Sequence, residues 1–435
     1  MTNKQLKNQN SETIPKGWTV EEFGKSCLKI GSGATPRGGA DSYKEHGISL
    51  IRSQNVYDFK FAYSGLAFID QNQADELANV EVFDDDILIN ITGDSVARVC
   101  RVPRNVLPAR VNQHVSIIRT NENKLHNNYV YYYLLNPPFK NYLLGLANTG
   151  ATRNALTKRM LENLLINAPV DLAEQRAIAE VLSSFDDKIE LLREQNKTLE
   201  ATAQTIFKEW FVNFNFPDKN GKPYKDSGGK MIDSELGEIP EGWRVGKIKD
   251  LVDILSGFAF SSSDFSQEGK YKLATIKNVQ DRHFNPETKD RLSVLPDKMP
   301  RYCKLNSGDI LLSLTGNVGR ICLVNGDNFL LNQRVAKLKE KNPSDYAFTY
   351  LLFLQDSIFS LLQSAASGTA QQNLSPIQTK ENEIIIAGRK TLDQFGMLAN
   401  KLIQKINDNS SQTQTLSNLR DTLLPKLMRG DVRVK

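Results

Sequence analysis

The most regular pattern along the chain is a run of apolar positions that begins at Ile178. From there to Trp210 an apolar residue recurs at alternating intervals of four and three, with Asn196 as the one polar exception. This spacing places all of these side chains on a single stripe of a helix, which is typical of a coiled-coil seam. The predicted seam consists of Ile178, Leu182, Phe185, Ile189, Leu192, Asn196, Leu199, Ala203, Ile206 and Trp210.

A second and weaker stripe of the same kind lies between residues 395 and 427. Each stripe is preceded by two residues with the spacing of a capping box, Asp171 with Glu174 and Thr391 with Gln394. Because neither helix can bury its stripe alone, we predict that the two helices pack on each other. The second seam consists of Phe395, Ala399, Leu402, Ile406, Asn409, Thr413, Leu416, Leu423 and Leu427.

Asn196 and Asn409 each interrupt a seam with a polar group. In some coiled coils such a residue sets the register and orientation of the helices, and in others it marks a solvated gap. Both roles stay open at the level of the sequence.

The regions that precede the two helices have shorter and mixed patterns. The runs at 86–91 and 309–314 are apolar and end at a Thr-Gly turn, which predicts strands. Helical patterns lie at 128–135 and 346–354. We therefore expect an α+β region before each long helix.

The chain contains one unit twice. Ile-Pro-Lys-Gly-Trp at 14–18 returns as Ile-Pro-Glu-Gly-Trp at 239–243, and Val-Asn-Gln-His-Val at 111–115 returns as Leu-Asn-Gln-Arg-Val at 331–335. The Asp-Ile-Leu…Thr-Gly strand of residues 86–93 also returns between these two motifs, so the order is kept. A repeat in constant order with slowly drifting offsets indicates duplication.

A length of 435 residues suits two or three domains. Residues 215–237 hold Pro, Gly, Lys, Asp and Ser without periodicity, which predicts a linker or exposed loop. The expected boundaries are 1–173 for the first region, 174–214 for the first helix, 215–237 for the linker loop, 238–390 for the second region and 391–430 for the second helix.

Composition excludes several classes of protein. With 40% apolar and 24% charged residues the chain is neither disordered nor membrane-like, and its start lacks the apolar run of a secretory signal, so we expect a cytoplasmic protein. The four cysteines and four histidines are scattered, so we expect no metal site. A net charge of +5 permits nucleic-acid binding without requiring it.

Three segments carry the pattern of a catalytic motif. Asn-Pro-Pro-Phe at 136–139 matches the loop with which amino-methyltransferases hold a flipped adenine, but Pro137 also simply ends a helical pattern, and the repeat lacks the motif. The glycine-rich segment 31–39 lacks the ending of a P-loop, and the acidic run 84–86 reads as a solvated strand entry. We favour a chain without catalysis and keep a methyltransferase as the alternative.

Polar loops are the remaining candidates for function. Their Arg, Lys, Asn, Gln, Ser and Thr side chains are those that bind base edges and phosphates, although many of them also serve as turn or cap residues. The candidates in the first unit are Arg37, Arg52, Ser53, Gln54, Asn55, Thr92, Arg98, Asn112, Gln113, His114, Thr152, Arg153 and Asn154. Those in the second unit are Lys277, Asn278, Thr315, Asn317, Arg320, Asn332, Gln333, Arg334, Thr369, Gln371 and Gln372.

These motifs in this order resemble the specificity subunits of Type I restriction-modification systems. The resemblance covers nearly the whole chain and includes four shorter segments: Gly-Ala-Thr-Pro at 33–36, Leu-Ser-Gly-Phe-Ala-Phe at 255–260, Ile-Phe-Lys-Glu-Trp-Phe at 206–211 and Leu-Leu-Pro-Lys-Leu-Met at 423–428. The second region has 255–260 where the first has its Gly-x-Thr-Pro loop. The two regions should therefore read different half-sites.

The resemblance implies two homologous target-recognition domains, separated by two long antiparallel coiled-coil helices with pseudo-two-fold symmetry. Each domain would read one half of a split, asymmetric site in double-stranded DNA. The helices would dock two methyltransferase subunits and, through them, ATP-driven restriction subunits. This chain would hold no cofactor, since S-adenosylmethionine, ATP and magnesium ions belong to the partners.

Helix length agrees with this geometry. The segment from Gln175 to Trp210 would span roughly 54 Å as a helix, enough to hold two domains about one DNA turn apart, or roughly 34 to 36 Å. A pure interaction scaffold, which would use the coiled coil without reading sequence, is the other alternative. Such a scaffold would bind all DNA with a flat, salt-sensitive affinity.

Overall fold

The computed structural model describes residues 14–148, 154–366 and 372–434. The chain divides into two compact units, one formed by residues 1–189 with 415–435 and the other by residues 190–414. Each unit contains an α+β region and a stretch of both long helices, so the predicted fold class and the duplication are confirmed. Among the residues described, no helix is long and apolar enough to cross a bilayer.

The strands of the first unit follow one another closely in the sequence. They are β1 (Trp18–Glu22), β2 (Cys27–Ser32), β3 (Ile48–Ile51), β4 (Val56–Tyr57), β5 (Lys60–Phe61), β6 (Ala67–Ile69), β7 (Glu81–Val82), β8 (Ile87–Asn90), β9 (Val99–Arg101), β10 (Ala109–Val111), β11 (Val115–Thr120) and β12 (Leu165–Pro169).

Two four-stranded sheets form the body of this unit. The first has the order β2-β11-β8-β9 with antiparallel neighbours throughout, and the second has the order β6-β3-β10-β7 with β3 and β10 parallel. Strands β4 and β5 make a short hairpin, and β1 pairs with β12 beside the long helix. The apolar run predicted as a strand is β8, whose four residues are all buried.

The strands of the second unit repeat this plan. They are β13 (Met231–Ile232), β14 (Ile239–Pro240), β15 (Arg244–Lys247), β16 (Val252–Ser256), β17 (Phe265–Ser266), β18 (Tyr271–Ala274), β19 (Arg291–Leu292), β20 (Ile310–Ser313), β21 (Ile321–Leu323), β22 (Phe329–Leu331), β23 (Val335–Glu340) and β24 (Glu383–Ile386).

The sheets of the second unit match those of the first except at one edge, since β17 lies on the β19 side of the second sheet whereas β7 lies on the β10 side in the first unit. One sheet is β16-β23-β20-β21, and the other is β17-β19-β18-β22 with β18 and β22 parallel. Strand β15 pairs with β24 as β1 pairs with β12. The repeat seen in the sequence is therefore a repeat of strand connections.

Helices fill the rest of each unit. The shorter ones are α1 (Phe23–Ser26), α2 (Gln71–Glu76), α3 (Asn127–Leu135), α4 (Pro137–Ala147), α5 (Lys158–Glu162), α7 (Tyr346–Phe353), α8 (Asp356–Ala365) and α9 (Pro376–Lys380). The long ones are α6 (Leu172–Phe207), which continues into a π-helical turn at Lys208–Val212, and α10 (Arg389–Arg429).

The two long helices run antiparallel within each unit. In the second unit Asn196 of α6 contacts Asn409 of α10, and Phe207 at the end of α6 packs on Phe395 near the start of α10. In the first unit Asp186 of α6 is paired with Arg420 of α10. Seam residues that the structure buries are Ile178, Leu182, Ile189, Leu192, Ala203, Phe395, Ala399, Asn409 and Leu427, and those half-buried are Phe185, Asn196, Leu199, Ile206, Trp210, Leu402, Ile406, Thr413, Leu416 and Leu423.

Asn196 and Asn409 form a polar layer in the seam. Asn409 Nδ2 donates to Asn196 Oδ1 at 2.9 Å, and Asn196 Nδ2 donates to the carbonyl of Ile406 and to the Ser410 hydroxyl, both at 3.1 Å. Since Asn409 is completely buried, a shift of either helix would leave buried amides unpaired. The geometry favours register control over a solvated gap.

Helix starts differ from the predicted capping boxes. Asp171 accepts a hydrogen bond from the amide of Ala173, as a cap does, but Glu174 accepts from Trp18 Nε1 and Arg433 instead of reaching back. Helix α10 begins at Arg389, so Thr391 lies inside its first turn and the predicted capping box there is wrong. The partners of these side chains are distant in the sequence, so the local spacing of residues does not predict the helix caps.

The segment predicted as a linker is partly folded. Phe216 is buried, and its ring stacks on Trp243 at 5.1 Å and on Tyr224 at 4.6 Å. Strands β13 and β14 form a hairpin across its end. Aromatic residues separated by turn residues thus dock on the second unit, which an absence of periodicity does not reveal.

A buried cysteine occupies the same place in both units. Cys100 lies on β9 opposite Leu88, and Cys322 lies on β21 opposite Leu311. Burial raises the pKa of the Cys100 thiol to about 12 and also raises the pKa of Cys322. Because the thiolate is the reactive form, neither residue should react while its unit is folded.

We expect Cys100 and Cys322 to label with iodoacetamide at pH 8 at least about a hundredfold more slowly in the folded chain than in urea. Pulsed labelling along a urea titration, with mass spectrometry of the two peptides, then measures the unfolding of each unit separately. Rapid labelling of either residue in native buffer would contradict the burial of β9 or β21.

Candidate nucleic-acid interface

Four loops of the first unit meet at one end of its sheets. They are the loop that follows β2, the β8–β9 loop, the β10–β11 loop and the segment that precedes α5. Backbone hydrogen bonds join them: the amide of Gly33 donates to Asn112 O at 3.2 Å, Ile91 to His114 O at 2.9 Å and Gly93 to Asn154 O at 3.0 Å. Polar residues predicted from four separate stretches of sequence are therefore brought together, namely Arg37, Thr92, Asn112 to His114 and Asn154.

A chain of hydrogen-bonded side chains crosses this surface. His114 Nδ1 lies 2.6 Å from the Thr92 hydroxyl and its Nε2 lies 3.1 Å from Gln113 Nε2, while the Thr35 hydroxyl donates to Gln113 Oε1. With these partners the imidazole is oriented before any ligand arrives. A pre-oriented polar row costs less entropy to fix on binding than free side chains do.

Glycine is required at two points of this surface. A Cβ atom on Gly33 would lie 1.8 Å from the carbonyl oxygen of Val111, and Gly93 has a φ of 74° in the turn that ends β8. The second unit repeats both features, with Gly257 pressed against Asn332 and Gly316 at a φ of 73°. The close approach of the loops thus depends on residues without side chains.

The second unit builds the same surface with other side chains. The amide of Gln333 donates to Phe258 O at 3.0 Å, Leu314 to Arg334 O at 3.0 Å and Leu374 to Leu314 O at 2.8 Å. Arg334 stands where the first unit has His114, and its side chain is exposed. Equal backbones with different polar groups suit two surfaces that read different base edges.

Two arginines of the first unit are held against tyrosine rings. The guanidinium carbon of Arg98 lies 4.7 Å from the centre of the Tyr57 ring, and that of Arg52 lies 5.1 Å from the Tyr43 ring. Arg52 also donates to the carbonyl of Gly65 at 2.5 Å. Such stacking keeps a guanidinium extended at the surface. Neither tyrosine is among the predicted candidates, although the Val-Tyr-Asp-Phe segment lies directly after Asn55.

The candidates differ in how far they reach the solvent. Exposed ones are Arg37, Gln54, Gln113, Asn154, Lys277, Asn317, Gln333, Arg334 and Gln372. Half-buried ones are Arg52, Ser53, Thr92, Arg98, His114, Thr315, Arg320 and Asn332, and buried ones are Asn55, Asn112 and Asn278. Thr152, Arg153, Thr369 and Gln371 lie outside the described residues.

Asn55 and Asn278 are structural residues, which corrects their place among the candidates. Asn55 is fully buried, accepts from the Arg52 amide at 3.0 Å and donates to Ala62 O at 2.8 Å. Asn278 is 1% exposed and donates to Asn285 O at 2.8 Å. Each amide therefore closes the loop that follows it, and neither side chain is presented to a ligand.

The Asn-Pro-Pro-Phe segment starts a helix. Asn136 occupies the N-cap position of α4, the two prolines fill its first turn, and the Phe139 ring packs edge-on against Tyr133 at 4.7 Å. Proline suits this position because the first helical amides have no partner in the helix. The described residues also contain no group of His, Cys, Asp or Glu that could hold a metal ion.

Comparison with known proteins identifies the family. The sequence profile of the Type I restriction modification DNA specificity domain matches residues 15–201 and 240–409. The chain belongs to the Type I restriction-modification DNA specificity family. The two α+β regions are accordingly its target-recognition domains, and members of this family generally recognise DNA sequence without catalysis of their own.

Relatives in the specificity family match along most or nearly all of the chain. The Type I restriction enzyme MjaIX specificity subunit of Methanocaldococcus jannaschii is 27% identical over 440 residues, which cover 99% of this chain and 97% of the relative. The HindI specificity subunit of Haemophilus influenzae is 23% identical over 367 residues, which cover 73% and 80%. The crystal structure of a Type I S subunit from M. genitalium has a TM-score of 0.58 over 96% of both chains at 17% identity, which shows a shared fold.

We expect Asn55→Ala to destabilise the first unit by about 2 kcal/mol, because it leaves buried backbone groups unpaired. Asn278→Ala should do the same to the second unit. Labelling of Cys100 and Cys322 along a urea titration separates the two effects. The neighbouring exposed variants Gln54→Ala and Lys277→Ala are the controls and should change stability by less than about 0.5 kcal/mol. A stability loss in the controls equal to that in the asparagine variants would refute the structural role.

Proposed function

We propose that the chain is the part of a Type I restriction-modification complex that reads a bipartite, asymmetric site in double-stranded DNA. The observation that carries this is the repeated four-loop surface, which has the same backbone in both units and different polar side chains. Each recognition domain would read one half-site. His114 in one unit and Arg334 in the other would then contribute to different base preferences.

Reading would combine phosphate and base contacts. Exposed cations such as Arg37 and Lys277 neutralise phosphates and fix the domain on the duplex. Gln113, Gln333 and Arg334 carry the amide and guanidinium groups that discriminate base edges, at about 1 to 3 kcal/mol for each bidentate contact. Since Gln113 is already oriented by Thr35 and His114, its contact needs little reordering.

Methylation and cleavage would be carried out by partners that dock on the long helices. Apolar side chains remain exposed on α6 and α10, which supports a protein interface there. They are Leu191, Met397, Leu398 and Leu419. Two methyltransferase subunits would bind S-adenosylmethionine and flip the target adenine, and restriction subunits would use ATP and magnesium ions in the cytoplasm.

We expect a split adenine-methylation motif in a host that expresses this chain together with its methyltransferase, and none with the methyltransferase alone. Gln333→Ala with Arg334→Ala should relax one half of the motif and leave the other half unchanged, because each domain reads its own half. Single-molecule sequencing of the methylated genome measures both results. Gln412→Ala, an exposed change on α10, is the control.

Two outcomes would overturn this proposal. Methylation that is the same without the chain would leave an interaction scaffold as its role. Methylation by the chain alone would instead make Asn136 to Phe139 a catalytic segment.

We expect that seven residues added to both helices at the unit boundaries, after Ile189 and after Gln414, lengthen the spacer between half-sites by about three base pairs. Seven residues keep the seam in phase and add roughly 10 Å of helix. The same sequencing detects the new motif. As a control, an insertion of two residues in each helix rotates the seam and should abolish the methylation motif. An unchanged spacer after the seven-residue insertion would show that helix length does not set the spacing between half-sites.

A further inference from the structure

Both units contain the same short hairpin, and its tip lies against a long helix. The tip residues are Phe59 in the β4–β5 hairpin and Arg282 in the segment 279–284, with left-handed φ angles of 61° and 58°. Each tip amide donates to the neighbouring strand, Phe59 to Val99 O at 3.2 Å and Arg282 to Ile321 O at 2.9 Å. The two hairpins thus share one backbone and differ in the side chain at the tip.

In the first unit the positive charge lies on the helix. Arg420 of α10 is buried, and its guanidinium carbon lies 3.5 Å from the centre of the Phe59 ring. Its Nη1 donates to Asp186 Oδ1 at 2.6 Å, and Asp186 Oδ2 accepts from the Tyr132 hydroxyl at 2.7 Å. One guanidinium therefore connects the hairpin, both long helices and α3.

In the second unit the positive charge lies on the hairpin. Arg282 Nη1 donates to Glu200 Oε1 on α6 at 3.3 Å, and Gln204 donates to the same oxygen at 3.0 Å. Burial raises the pKa of the Glu200 carboxyl, and Arg282 partly offsets that shift. The hairpin arginine thus compensates a carboxylate that the fold has taken partly out of water.

The helix residues of these two contacts lie about one helical turn apart in the repeat. The buried residues Ala203 and Phe207 of α6 match the buried Arg420 and Leu424 of α10. Glu200 therefore lies one turn before the residue that matches Arg420. The helix residue that meets the hairpin tip is thus a carboxylate in the second unit and a guanidinium in the first, and the tip residue differs accordingly. Duplication alone would have left the two contacts alike.

We propose that these contacts are hairpin locks, which position each target-recognition domain on its own stretch of the helix pair and do not accept the tip of the other domain. The inference rests on the proposed function, since a fixed domain orientation is what lets two half-sites be read at one spacing. An arginine in place of Phe59 would remove the ring face on which the Arg420 guanidinium packs and put a second guanidinium beside it. Asp186 and Asp421 are already paired with Arg420, so the new buried cation would have no carboxylate of its own. A phenylalanine in place of Arg282 would leave Glu200 without its cation.

Charge reversal in the full chain tests the lock. Arg282→Glu should accelerate hydrogen exchange of the amides in residues 279–284 by about fivefold, because it sets two carboxylates against each other. Arg282→Glu combined with Glu200→Arg should return exchange to within about twofold of the original chain. Arg301→Glu, an exposed change in the same domain, is the control and should leave this segment unchanged.

The first unit provides a second variant pair. Phe59→Arg should accelerate exchange in residues 56–61, and Phe59→Leu, which keeps an uncharged tip, should change it by less than about twofold. Equal exchange in Arg282→Glu and Arg301→Glu, or a double reversal no better than the single change, would overturn the lock.

The positioning role needs a readout on DNA. The probes are duplexes that carry the motif found by sequencing, with its own spacer or with one added base pair, methylated by the chain assembled with its partner. Arg282→Glu should lower the preference for the original spacer at least about threefold, and the double reversal should restore it. An unchanged preference despite faster exchange would overturn the positioning role. If sequencing finds no split motif, the proposed function fails, while the exchange data still decide whether the lock exists.

Discussion

The structure depends on the burial of two apolar stripes that cannot be buried separately. Within each unit α6 and α10 run antiparallel and complete the core of the α+β region beside them. Ile178 and Leu427 lie in the buried cluster of the first unit, and Phe207 and Phe395 lie in that of the second. A recognition domain therefore has no complete core without both helices. We therefore expect each domain to fold together with the pairing of the helices. The four-loop surface then depends on the same helices that complete the core.

Duplication has preserved the backbone and changed the chemistry. The strand order of the first sheet, the parallel pair in the second sheet and the glycine turns recur in both units. In contrast, His114 is matched by Arg334, and Phe59 by Arg282. Positions that determine the path of the backbone therefore carry the same kind of residue in both units. Positions on the four-loop surface and at the hairpin tips carry different residues in the two units.

Much of the fold could be predicted from the sequence because the periodic spacing of apolar residues that marks a helix or a strand is visible within a short stretch of chain. The duplication and both long helices follow from such patterns, and the structure contains them. The predicted seam is too narrow, since Ile403 and Leu424 are buried although the coiled-coil spacing omits them. These helices pack against a domain core as well as against each other, and this widens the apolar face. The buried roles of Asn55 and Asn278 depend on carbonyls that become neighbours only when a loop closes, so residue type alone placed them wrongly at the surface.

The glycines pressed against neighbouring strands set a boundary for any redesign of the reading surface. Gly33 touches the end of β10, and Gly257 occupies the same place beside β22 in the second unit. A loop grafted from another source will keep the path of its host only if it brings a glycine to this point. The residues on either side of the glycine can then be exchanged together, because the contact between the glycine and the neighbouring backbone keeps the loop in place.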